Sequence, residues 1–181
     1  MIFVCRILLL FAFALYWGGL TFYTGFVVRI SHDVLNDPMD GGMITQRVTV
    51  ILQLFGLLTA LLMIWNVFFV VRQSPKYGYA LGACVALLVC SLIGLFVVHE
   101  QLDAIIDIGT AEITDREAFV IGHRRYNQLT TVQWLSALIY LPITLVAWSS
   151  IDRKSVNSKV NAVADNVLPT PTVKAADGTR A

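Results

Sequence analysis

The sequence predicts an all-α membrane protein, a four-helix transmembrane bundle. The composition is far from that of a soluble domain: hydrophobic residues make up 57% of the 181, charged residues 14%, and the mean hydropathy is +0.71. Four apolar runs, at residues 7–28, 48–71, 77–98 and 129–148, each reach the length of about 20 residues that a hydrocarbon core requires. None of the four contains Asp, Glu, Lys, Arg or His. In lipid every backbone polar group must be satisfied within its own segment, so these runs are expected to be helices.

The first run is longer than the roughly 7 to 15 apolar residues of a signal peptide, and no small-residue cleavage site follows it, so a retained signal anchor is expected. Its Ala14 and Gly18, and its Thr21 and Gly25, lie four residues apart. The third run carries a longer series of small residues, Gly78, Gly82, Ala86, Cys90 and Gly94, again every four. Small side chains let helix backbones approach closely, so the first and third spans are expected to pack as neighbours. In the second run Gln53 and Asn66 are the most polar residues and are expected to hydrogen-bond between helices. In the fourth, Pro142 removes a backbone donor and should kink the helix, while Trp134 and Trp148 sit near the two ends, where aromatic belts form. Cys5, Cys84 and Cys90 lie in or beside apolar runs and are expected to be small buried side chains. Cys84 and Cys90 are too far apart around one helix to bridge.

The charges between the runs bear on topology. Arg72 and Lys76 occupy a very short connection, and Arg153 and Lys154 follow the last span directly, so the positive-inside rule places both termini in the cytoplasm. In a bacterium this would be the inner membrane. Residues 1–150 then form a four-span membrane domain. Residues 151–181, rich in Ser, Asn, Ala and Val and carrying Pro169 and Pro171, read as a disordered cytoplasmic tail.

On this topology all three histidines and nine of the twelve acidic residues fall on the opposite face. His99, Asp103 and Asp107 follow at intervals of four, which stacks an imidazole and two carboxylates on one face if the third helix continues beyond the membrane. Gly109 interrupts, and Thr114 to Glu117 has the form of a capping box that starts a new helix near Asp115, leading into the fourth span. On that helix Phe119, His123, Thr130 and Trp134 follow at helical spacing, which could turn His123 towards His99 and Asp103, with His32 leaving the first span at the same level. Two or three imidazoles with a carboxylate are ligands for a divalent metal such as zinc or copper. No HxxxH or HExxH pair fixes such ligands on one helix, and the same residues serve equally to end helices, with His99 paired to Asp103.

Catalytic and nucleic-acid signals are missing from the sequence. There is no Gly-x-Ser-x-Gly element and no Walker-type glycine loop; the net charge is +1 and no basic aromatic patch is present.

The series Trp17-Gly18-Gly19-Leu20-Thr21-Phe22-Tyr23, followed by Val27-Val28, resembles the opening of bacterial four-span proteins of the domain of unknown function four-one-four-nine family, themselves similar to a eukaryotic transmembrane-protein family. Phe119, His123, Asn127 and Gln133 resemble that family's approach to its last span. Arg29 departs from the pattern, where a proline or small residue is expected after Val28. The resemblance implies architecture and directs attention to His123; it implies no reaction.

The expectation is therefore an integral membrane protein without an evident catalytic site, in contact with lipid and with a membrane-protein partner or a second copy, carrying no cofactor. Two alternatives are a metal-ion or small-solute binding protein using His99, Asp103, Asp107, His123 and His32, and a haem-bearing subunit.

Overall fold

The computed structural model describes residues 2–35, 38–107 and 112–167. Four helical passages are long and apolar enough to cross a membrane: Ile2–Ser31, Ile44–Gln73, Pro75–Asp103 and Arg116–Val163. The first is composite. Helix α1 (Ile2–Phe22) passes through a π-helical turn (Tyr23–Val27) into α2 (Val28–Val34). Helices α3 (Pro38–Gln73) and α4 (Pro75–Asp103) make the second and third passages, and α5 (Arg116–Val167) the fourth.

Around the bundle α1 packs on α3, α3 on α4 and α4 on α5, and α1 meets α5 mainly through long side chains. The core between them is formed by Leu9, Phe13, Tyr16, Met63, Leu81, Leu88, Ala137 and Tyr140. Large apolar side chains such as Phe3, Phe11, Phe68 and Tyr79 point outward, each at least 65% exposed. Water would penalise that surface by about 25 cal/mol per Å², whereas lipid does not. The outward face is thus what a four-span integral membrane protein requires.

Helices α3 and α4 are joined by a single residue, Ser74. Its N–H donates to the Val70 carbonyl at 2.8 Å and its own carbonyl accepts from the Gly78 N–H at 3.0 Å. Pro75 follows at the first helical position, where its missing donor costs nothing. So tight a hairpin presses α4 on α3 at once, and a Cβ on Gly78 would lie only 2.5 Å from the Val71 Cα. Glycine is required there.

The small-residue series of α4 does not form one interface. Gly78 and Gly82 face α3 through Val71 and Val67, Ala86 and Cys90 are exposed, and Gly94 faces Leu129 of α5. Four residues overshoot a 3.6-residue turn by about 40°, so sixteen residues carry the series about 160° around the helix. Gly18 and Gly25 of the first passage have open space where a Cβ would stand. The expected pairing of the first and third spans is accordingly replaced by α4 wedged between α3 and α5. Of the cysteines only Cys84 is buried; Cys90 is exposed and Cys5 intermediate.

Helix α5 runs unbroken through Pro142 to Val167, past residue 151, where a tail was expected. A helix already nucleated needs only about one bond per added residue, and Arg153, Lys154, Lys159 and Ala162 are good helix formers. Residues 168–181, including Pro169 and Pro171, lie outside the described residues.

Candidate functional site

Helix α4 ends earlier than the sequence spacing implied. Its last residue is Asp103, and Ala104 closes it with an N–H bonded to the Glu100 carbonyl at 3.1 Å. Thr114 then captures the Ile105 carbonyl with both its N–H (2.9 Å) and its hydroxyl (2.8 Å). Ile106 and Asp107 pair as a two-residue antiparallel strand with Glu112 and Ile113. The backbone of Asp107 therefore lies outside the helix that carries His99 and Asp103. The β-branched Ile105 and Ile106 favour this extended path. The cap of α5 is also shifted: Asp115 Oδ1, not a Thr114 capping box, accepts from the N–H groups of Glu117 (3.1 Å) and Ala118 (3.0 Å).

Two of the candidate residues do come together. His99 Nε2 lies 3.5 Å from Asp103 Oδ2, one turn apart on α4, and Gln46 of α3 donates to Asp103 Oδ1 at 2.8 Å. The carboxylate is thus held from two helices. His123 is exposed on α5, stacked on Phe119 with ring centroids 6.0 Å apart, above a shallow groove formed by α5 residues alone. Among the described residues no three His, Cys, Asp or Glu side chains converge on a common point. The side chains of His32 and Asp107 lie outside the described residues.

At the opposite end Arg6 and Asp152 form a bidentate pair, Nη1 to Oδ2 at 2.7 Å and Nη2 to Oδ1 at 3.0 Å. The Arg6 guanidinium also lies 5.0 Å over the Trp148 ring. The hydrogen bonds from Arg6, and secondarily its charge, hold the Asp152 carboxyl below the usual carboxylate range. This pair joins the first and last helices. Its only sequence signal was that both residues flank apolar runs at the same end.

Between these ends lies a polar interior of which the sequence marked Gln53 and Asn66 but not their partners. Asn66 Nδ2 donates to the Tyr140 hydroxyl at 2.7 Å, Tyr140 donates to the Met63 carbonyl at 3.3 Å, and Trp148 Nε1 donates to Asn66 Oδ1 at 2.9 Å. Closer to the His99 end Trp134 Nε1 donates to Thr21 Oγ1 at 2.8 Å, and Thr21 to the Trp17 carbonyl at 2.7 Å. Trp17 Nε1 returns the bond to the Trp134 carbonyl at 3.4 Å, and the two indoles stack at 5.6 Å. Both tryptophans of the fourth passage thus face the interior or the α1–α5 seam rather than forming an interfacial belt. Asn66 makes the interhelical bonds expected of it. Gln53, only 3% exposed, has no partner among the described residues for either amide atom.

Compared with protein-family models, curated proteins and solved structures, the chain matches none of them.

Proposed function

We propose that this chain is a structural or accessory component of a membrane assembly, with both termini in the cytoplasm, and not a catalyst. One observation carries the reading. The nine buried polar residues among the described ones are Thr49, Gln53, Thr59, Asn66, Ser74, Ser91, Gln133, Ser136 and Thr144, and all are uncharged. Ion and proton pathways through a bilayer are marked by ionisable side chains facing the bundle interior. Here the buried polar groups that bond across helices fasten one helix to another, which suits a rigid membrane module. The exposed stretch of α5 over residues 152–163 offers a helical surface beyond the apolar run that ends at residue 148.

Cross-linking in native membranes, followed by purification in mild detergent and mass spectrometry, tests this. A partner recovered in stoichiometric amount is expected. Purification of the chain alone, with nothing cross-linked above background, overturns the proposal.

The His99, Asp103 and Gln46 grouping favours a second reading, in which this end binds a divalent metal or small solute. An imidazole and a carboxylate 3.5 Å apart are two of the donors such a site needs. Metal content unchanged in a His99→Ala, His123→Ala double variant removes it.

A further inference from the structure

We infer that the half of the bundle interior nearer His99 is an uncharged, hydrated site that ends blindly in mid-membrane: it holds bound water between Tyr16, Gln53 and Gln133, and the Asn66, Tyr140 and Trp148 clamp closes it towards the termini.

Tyr16, Gln53 and Gln133 come from α1, α3 and α5 and are 1%, 3% and 2% exposed. The Tyr16 hydroxyl, both amide atoms of Gln53 and Nε2 of Gln133 are buried without a hydrogen-bond partner among the described residues. The surrounding contacts put them at neighbouring depths. The Tyr16 ring packs on Gly56, where a Cβ would meet its Cε2 at 2.9 Å, and Gln53 is about one turn from Gly56 on the same helix. Leu92 of α4 reaches the same glycine. Gly94 of α4 packs on Leu129 of α5, so these antiparallel helices bring Ser91, itself buried, level with Gln133, one turn beyond Leu129.

The energetics ask for an occupant. A buried polar atom left unpaired costs about 1–3 kcal/mol, and lipid offers no substitute bond. Ordered water is the usual partner of such atoms, and a bound water needs about two to four polar contacts. Tyr16 can donate and accept, Gln53 offers one donor and one acceptor, and Gln133 adds a donor. This set suits a neutral dipolar molecule and offers no opposite charge to an ion.

The two halves of the interior differ in where unpartnered polar atoms gather: among the described residues four lie on Tyr16, Gln53 and Gln133 in one half, whereas the other half has the Thr144 hydroxyl, beside Tyr140, and Arg6 Nε at the bundle end. Towards the termini Asn66, Tyr140 and Trp148 satisfy one another directly, with bonds of 2.7 and 2.9 Å. Towards His99 the polar surface continues instead: Thr49 lies one turn from Gln53, and the Tyr126 phenol meets Thr49 with Tyr23 nearby. Tyr23 also opens the π-helical turn Tyr23–Val27. Such turns wind more loosely than an α-helix and recur at functional sites.

Hydroxyl-radical footprinting of the full chain in lipid nanodiscs tests the proposal, because radicals generated from bound water label the residues beside it. Tyr16 and Tyr140 are equally buried, so Tyr140 is the internal reference. We expect Tyr16 to be oxidised several-fold faster than Tyr140. A Gln53→Leu, Gln133→Leu double variant should bring Tyr16 down to the Tyr140 rate. Equal, slow labelling of the two tyrosines in the unaltered chain overturns the proposal, and this arm needs no variant to fold. Fast Tyr16 labelling that persists in the double variant overturns the assignment of the two glutamines. A double variant that melts higher, with Tyr16 unlabelled throughout, identifies a dry site instead. None of these readouts depends on a protein partner, so they fail or succeed apart from the accessory role.

Discussion

Asn66 shows how much a single side chain can settle in this protein. It is 1% exposed and bonds two others at once: its amide Nδ2 donates to the Tyr140 hydroxyl and its Oδ1 accepts from the Trp148 indole N–H. Leucine has similar volume but no polar atom, so Asn66→Leu leaves the Trp148 indole N–H buried and unpaired. Bonds of this kind in membrane proteins average only about 0.6 kcal/mol each, whereas an orphaned buried donor in a soluble core costs about 1–3 kcal/mol. The clamp joins α3 to α5 at two points, so Asn66→Leu should lower unfolding stability in detergent by about 1–2 kcal/mol. Adding Trp148→Phe, which removes the stranded donor, should recover part of that loss. A double-mutant cycle by equilibrium unfolding measures it; strictly additive effects would refute the clamp. A polar residue inside an apolar run already marked Asn66 as interhelical in the sequence. It could not name the partners, because Tyr140 and Trp148 meet Asn66 only through the relative register of two helices.

Among the elements, α4 ranks its own glycines by what each one faces. Gly78→Ala sets a Cβ against the Val71 backbone, which cannot move without opening the single-residue hairpin at Ser74. A loss of about 2–3 kcal/mol or failure to fold is expected. Gly94→Ala meets only the Leu129 methyl groups, at 3.0 and 3.2 Å, and should cost less than about 1 kcal/mol as that side chain shifts. Gly82→Ala meets nothing nearer than 3.8 Å and should gain about 0.5–1 kcal/mol from helix propensity. Thermal unfolding of the three variants tests the order 82, 94, 78; any other order contradicts the packing. The cap of α5 gives a further case: Asp115→Ala removes the acceptor of two N–H groups and should cost about 1 kcal/mol. It would be read as earlier hydrogen exchange of the first turn. The existence, number and order of the membrane helices were legible from apolar run length, because lipid leaves the backbone so few solutions. The faces were not, since an every-four series looks like a stripe on paper and winds around a real helix. Nor was the end of α4, where the local competition between continued helix and the Thr114 bonds to Ile105 turned on residues eleven positions beyond Asp103.

Across the whole molecule, the first and last helices have much less direct backbone contact than the other neighbouring pairs around the bundle, α1 with α3, α3 with α4 and α4 with α5, and their seam is closed by side chains at two levels. Trp17, Thr21 and Trp134 close one level, and Arg6, Asp152 and Trp148 the other. The second closure carries a pH signature. Asp152 is held below its ordinary pKa of 3.8 in the folded state, chiefly by hydrogen bonds from Arg6. A carboxyl with a depressed folded pKa stabilises the fold above the unfolded value, and that contribution disappears as pH falls from about 3.8 through the lowered folded value. Asp152 is 57% exposed, so solvent screens the pair and its contribution belongs near the surface range of about 0–1 kcal/mol. Arg6 is more buried, at 18%, and keeps its place over Trp148 when the carboxylate is lost. Asp152→Asn should therefore lower the melting temperature slightly at pH 7, and that difference should begin to shrink as pH falls below about 3.8 and vanish as pH passes through the lowered folded value. Arg6→Ala removes both the pair and the stacking, strands Asp152 beside the indole, and should be the more damaging at neutral pH. Melting curves of the three proteins between pH 7 and pH 3 decide the matter: an Asp152→Asn deficit that does not shrink with acidification means the pair is not what closes this end of the seam.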